Sequence, residues 1–110
     1  MGYLYYGNST EPIEIPDRVL AHLKVVAATK LRRSESFTVS WNKAEDSEAR
    51  TTIWLQAAIP LRFELGRTEP IDRRYLEEMA QAATSSAGVF VDLAAEATAS
   101  QPVADLRRVA

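Results

Sequence analysis

Cysteine is absent from the 110-residue chain. That excludes disulfides, thiolate nucleophiles and cysteine zinc sites, and it suits a cytoplasmic protein. Histidine occurs once, as His22, which excludes multi-histidine metal centres. No apolar run approaches the ~18 residues that crossing a bilayer takes, so no membrane partner is expected. The first ten residues have no positive region followed by an apolar run, so they do not read as a signal peptide. Positive charge is not in excess either: 13 Lys and Arg face 15 Asp and Glu, for a net charge of −2. A nucleic-acid partner would therefore need a local patch. Glycine is sparse, and Gly7-Asn8-Ser9-Thr10 has too little of it, and no lysine after it, for a phosphate loop.

What is present is ordinary for a globular domain: 46% hydrophobic and 25% charged residues. The length predicts one domain, able to hide roughly two-thirds of its unfolded surface.

The stretch from Pro16 to Trp41 organises the rest. Val19, Leu20, Leu23, Val26, Ala27 and Leu31 recur in steps of three and four, which predicts one buried helix stripe. Pro16 and Asp17 suit the start of that helix, and Lys30, Arg32 and Arg33 suit its end. Val25 falls off the stripe. Ser34, Glu35 and Ser36 break the pattern. Phe37, Val39 and Trp41 then alternate with Thr38 and Ser40, a strand with one buried face.

Before the helix, residues 3–6 and Ile13–Ile15 read as a hairpin. After it, the polar stretch 42–50 reads as an exposed loop, 51–56 as a strand, Pro60 as a break, and Leu61 to Leu65 as a half-buried strand. Asp72 is placed to cap a second helix, whose apolar residues are Tyr75, Leu76, Met79, Ala80 and Ala83. Val89 to Leu93 reads as the last strand. The order β-β-α-β-β-β-α-β predicts an α+β fold: a two-layer sandwich with a mostly antiparallel sheet of about six strands and two helices on one face. Residues 1–93 form the expected domain and 94–110 a flexible tail.

Chemistry is scarce. Glu45, Asp46 and Glu48 lack the spacing and glycine of a calcium loop, and Glu77 and Glu78 diverge by about 100° on a helix. His22 has no serine or acidic partner placed by sequence and reads as a surface histidine. No catalytic residue, metal or cofactor is expected. The one lead is a basic face on the first helix. Arg18, His22, Thr29 and Arg33 project at similar angles, and Lys24, Lys30 and Arg32 add charge nearby. Such a face suits a phosphate backbone, and it also suits plain solvation. Tyr3, Tyr5 and Trp54 are candidate exposed aromatics, able to stack on bases or pack in a partner interface.

The segments YGNST, DRVLAHLKVVAATKLRRSESF and TIWLQAAIPLRF resemble a family of short actinobacterial proteins of unknown function, over residues 1–93. Members of that family often carry the label of ATP-dependent DNA ligase. A ligase of that kind forms an adenylate on the lysine of a K-x-D-G motif. The lysines here stand in KVVA (Lys24), KLRR (Lys30) and KAED (Lys43), so none matches. A nucleotidyltransferase core is also far larger than this chain. The readings that remain are a non-enzymatic domain acting through protein contacts or self-association, and an accessory domain binding DNA or RNA through the first helix.

Overall fold

The computed structural model describes residues 1–43 and 45–95. Its elements run β1 (Gly2–Tyr6), β2 (Ile13–Ile15), α1 (Asp17–Arg32), β3 (Phe37–Lys43), β4 (Asp46–Leu55), β5 (Leu61–Glu64), α2 (Arg73–Thr84) and β6 (Val89–Val91). The expected α+β order is therefore present. From residue 96 onward, the expected tail lies outside the described residues.

α1 begins where Pro16 supplies an extended residue and Asp17 an acidic first turn. It ends in a Schellman arrangement: Ser34 N–H donates to Leu31 O and Glu35 N–H to Lys30 O, at 3.0 Å each. Ser34 takes the left-handed conformation that this ending needs, at φ 58°. The stripe read from the sequence is the buried one: Val19, Leu20, Leu23, Val26 and Ala27 all join the core, with Leu31 packed at its margin.

The six strands divide into two three-stranded sheets, ordered β2-β1-β5 and β4-β3-β6, rather than forming one. Pro60 and the turn before it explain the division. Ile59 N–H closes that turn on Gln56 O, and Pro60 O accepts from Gly7 N–H at 2.8 Å. The chain leaving β4 is thereby redirected, and β5 pairs antiparallel with β1 (Leu4 opposite Phe63) instead of returning to β4. β6 arrives by way of α2 and lies parallel to β3, Val39 opposite Val89. The remaining pairings are antiparallel.

α1 packs on β1 and α2, and α2 packs on β3 and β6. One core results. Leu4 and Ile15 come from the first sheet, Phe37, Val39, Leu55, Val89 and Val91 from the second, and Met79 and Ala83 from α2. Tyr6 Oη donates to Trp54 O at 2.6 Å and ties β1 to β4 where the sheets approach.

Two expectations change at the far end of the second sheet. The polar stretch 42–50 is mostly strand: β3 runs to Lys43 and β4 starts at Asp46. Backbone pairing holds it, Asn42 opposite Arg50, so it needs no apolar alternation. Asn42 itself is buried. Its Nδ2 donates to Asp92 Oδ1 at 2.8 Å, and its Oδ1 accepts from Leu93 N–H at 2.7 Å and Ala94 N–H at 3.2 Å. This clamp ends β6 at Val91, and residues 93–95 are helical, where the alternation had extended the strand to Leu93.

Two tight points follow from this packing. Gly88 has φ 76°, and a Cβ there would sit 2.6 Å from Thr38 O. Asp17, 8% exposed, accepts from Gly66 N–H at 3.0 Å, and the Met1 α-amino group lies 3.2 Å from its other oxygen. The Gly66 N–H chiefly, and the amino group after it, hold the Asp17 carboxyl below the ordinary aspartate range.

Gly88→Ala is expected to destabilise the fold by about 2 kcal/mol or more, measured by urea denaturation. Asp17→Asn should cost about 1–2 kcal/mol at pH 7, since a charge-assisted bond becomes a neutral one. Because the folded carboxyl titrates low, its contribution is complete above about pH 4 and fades as pH falls further. Melts of the two proteins should therefore converge in acid; a gap constant down to pH 2 would contradict the assignment.

Candidate interaction surfaces

The basic face of α1 does not survive as one surface. His22 is wholly buried and is not a surface residue. Its Nδ1 lies 2.6 Å from Arg18 O, and its Nε2 lies 2.9 Å from Asp72 N. A carbonyl can only accept and a backbone N–H can only donate, so the ring carries its proton on Nδ1. The Tyr75 ring meets it edge-on, centroids 4.6 Å apart. Sequence reasoning missed this because the partner, Asp72, is 50 residues away.

Arg18 belongs to the same joint. Its guanidinium lies over Tyr75 at 4.1 Å and donates to Asp72 Oδ2 at 3.1 Å. Asp72 Oδ1 caps α2 by accepting from Arg74 N–H and Tyr75 N–H, at 3.0 and 3.3 Å. The Tyr75 N–H first, then that of Arg74 and the Arg18 charge, hold the Asp72 carboxyl below its ordinary range. The cap expected from the sequence is thus in place, and it also takes up a cation expected to face a ligand.

At the other end, Lys30 is half-buried and donates to Thr84 Oγ1 at 2.8 Å. Glu35 lies 3.4 Å from Lys30 Nζ and 3.7 Å from Arg33, so one carboxylate serves both cations. Lys24 and Arg32 are different. Both are exposed, and among the described residues no hydrogen bond or ion pair engages either. They border a hollow of about 410 Å³ between α1 and residues 57–63, floored by Ala27, Leu31, Ile59, Leu61 and Phe63. Lys24 also borders a second hollow of about 450 Å³, with Val25, Leu65, Arg67 and Ile71. Val25, off the buried stripe, faces this second hollow.

A different surface lies on the outer side of the second sheet. Phe37, Val39, Val89, Val91 and Leu55 point inward, so their neighbours point out. Trp54 stands 54% exposed opposite Thr38, and Phe90 stands 45% exposed opposite Ser40. Between them Ser40 Oγ and Thr52 Oγ1 share a hydrogen bond at 2.7 Å. Arg50 stacks over the Phe90 ring at 4.4 Å. Trp54 is exposed, as its place in the sequence allowed; Tyr3 and Tyr5 are half-buried, and Arg62 covers Tyr5 at 4.1 Å. Phe90 was legible in principle, since alternation along Val89–Val91 puts it opposite the two valines.

Converging chemistry is not found at either surface. Among the described residues no group of three or more His, Asp or Glu could hold a metal ion. Among the described residues no helix is long and apolar enough to cross a membrane. The chain belongs to the family described as "Domain of unknown function (DUF7882)", whose model matches residues 1–94. No curated protein and no solved structure matches it.

His22→Ala should cost about 2–4 kcal/mol, because it leaves Asp72 N–H without its acceptor and opens a space beside Tyr75. Two-bond ¹⁵N–¹H correlation spectra of the wild type should show the proton on Nδ1. A proton on Nε2 would contradict the arrangement.

Proposed function

We propose that this member of a family of unknown function is a non-enzymatic cytoplasmic domain that works through protein contacts, and that it self-associates through the outer face of the β4-β3-β6 sheet. The observation that carries this is the pair Trp54 and Phe90, two large side chains about half exposed on one sheet face. Aromatic residues beside an arginine are the side chains that most often dominate a protein interface. Hydroxyls of Thr38, Ser40 and Thr52 on the same face are able to serve a polar rim.

A polyanion lying along α1 is the competing reading, and it would rest on Arg18, His22, Lys24, Lys30, Arg32 and Arg33. It is the weaker one. His22 is buried, Arg18 is held by Asp72, and Lys30 and Arg33 share Glu35. Two exposed cations remain, which give only a shallow salt dependence and little affinity for DNA or RNA. An adenylating enzyme of actinobacterial ligase type forms no part of the proposal, since no lysine stands in the required motif.

Light scattering across a wide concentration range tests the reading. The wild type should shift from monomer to dimer as concentration rises. Trp54→Ser combined with Phe90→Ser should weaken that association by about tenfold or more while leaving the melting curve nearly unchanged. A wild type that stays monomeric at the highest concentration would sink the self-association reading.

A further inference from the structure

The two hollows beside α1 share Lys24 and follow the same helix from Ala21 to Arg32. At 1.5 Å per residue that is a trough about 16 Å long, or three turns of a partner helix. One end is floored by Leu31, Ile59 and Phe63, all half-buried, and the other by Val25, Leu65 and the 48% exposed Ile71. Lys24 and Arg32 stand at its margin, and Arg67 borders the Ile71 end. The acid lining the trough is Glu69, at that same end.

The neighbouring cations show that this is not a general excess of charge. Lys30 and Arg33 point toward Glu35 and are paired with it. Lys24 and Arg32, on the trough side, enter no ion pair among the described residues. The apolar floor and the unmatched cations therefore lie together, and one kind of partner answers both.

We propose that this trough docks an acidic amphipathic segment of a partner protein, with apolar side chains at helical spacing against the floor and carboxylates against Lys24 and Arg32. A phosphate backbone would meet the cations but leave Leu31, Ile59 and Phe63 in water. A neutral apolar helix would cover the floor but leave the cations without counter-charge. The helix-in-groove mode satisfies both at once. The trough is separate from the Trp54 and Phe90 face, so the proposal stands independently of self-association there.

Panning the full chain against displayed random peptides of about 16 residues, enough for roughly four helical turns, tests it. Recovered peptides should carry apolar residues three and four apart with a surplus of Asp and Glu. Their affinity should fall about tenfold or more in Lys24→Glu with Arg32→Glu, and should weaken with salt. It should be unchanged in Trp54→Ser. If the charge-reversed protein fails to melt cooperatively, Lys24→Gln with Arg32→Gln carries the same comparison. The proposal is overturned if no peptide family is enriched, if the peptides recovered carry no negative surplus, or if the substitutions leave their affinity intact. It is overturned equally if these residues govern retention only of single-stranded DNA or of phosphatidylserine vesicles. Loss of peptide binding in Trp54→Ser would place the contact on the sheet instead.

Discussion

The backbone N–H of Asp72 finds its acceptor in the Nε2 of a buried imidazole, and the seat of α2 on α1 depends on that contact. His22 is rigidly held from behind, because its other nitrogen is bound to Arg18 O one turn earlier in the same helix. The ring therefore offers Nε2 in one direction only. Asp72 then uses its side chain to cap α2 and to meet Arg18, whose guanidinium covers Tyr75. Four residues thus join two helices, and the N–H groups of Asp72, Arg74 and Tyr75 at the start of α2, which the helix itself cannot serve, all find acceptors there.

The same joint accounts for the character of the surface. A helix face that carries several cations looks like a binding face as long as it is considered alone. In the folded chain, Asp72 and Glu35 come back to it and take up the cations nearest to them. What remains is asymmetric: paired charge and a buried imidazole on the α2 side, unmatched charge beside apolar hollows on the β5 side. Charge matters for recognition where it has no internal partner and where an apolar surface adjoins it, and both conditions hold on the β5 side.

The division into two sheets has a comparable cause. Leu61, Phe63 and Leu65 alternate as a half-buried strand should, and nothing in that alternation says which strand they pair with. Pro60 and the turn before it send β5 across to β1, with Gly7 N–H bound to Pro60 O at the crossing. The first sheet then closes on α1 and the second on α2, and the outer side of β4-β3-β6 is left with Trp54 and Phe90 in solvent.

Local rules were enough for much of this protein. The steps of three and four from Val19 to Leu31, the alternation of Phe37, Val39 and Trp41, and the position of Asp72 ahead of an apolar helical stripe specify both helices, most strands and a cap, because each depends on residues within one or two turns. The limits of β4 were not legible, since the outer part of the hairpin is held by backbone pairing that leaves no trace in side-chain period. Nor was the burial of His22 and Asn42, whose partners are 50 or more residues away. Sequence by itself determined which face of each element is apolar and which chemistries are excluded. Tertiary structure alone decided which faces meet, which cations are neutralised and which apolar side chains stay in water, because a repeat specifies a buried side but carries no information about the distant surface that will cover it.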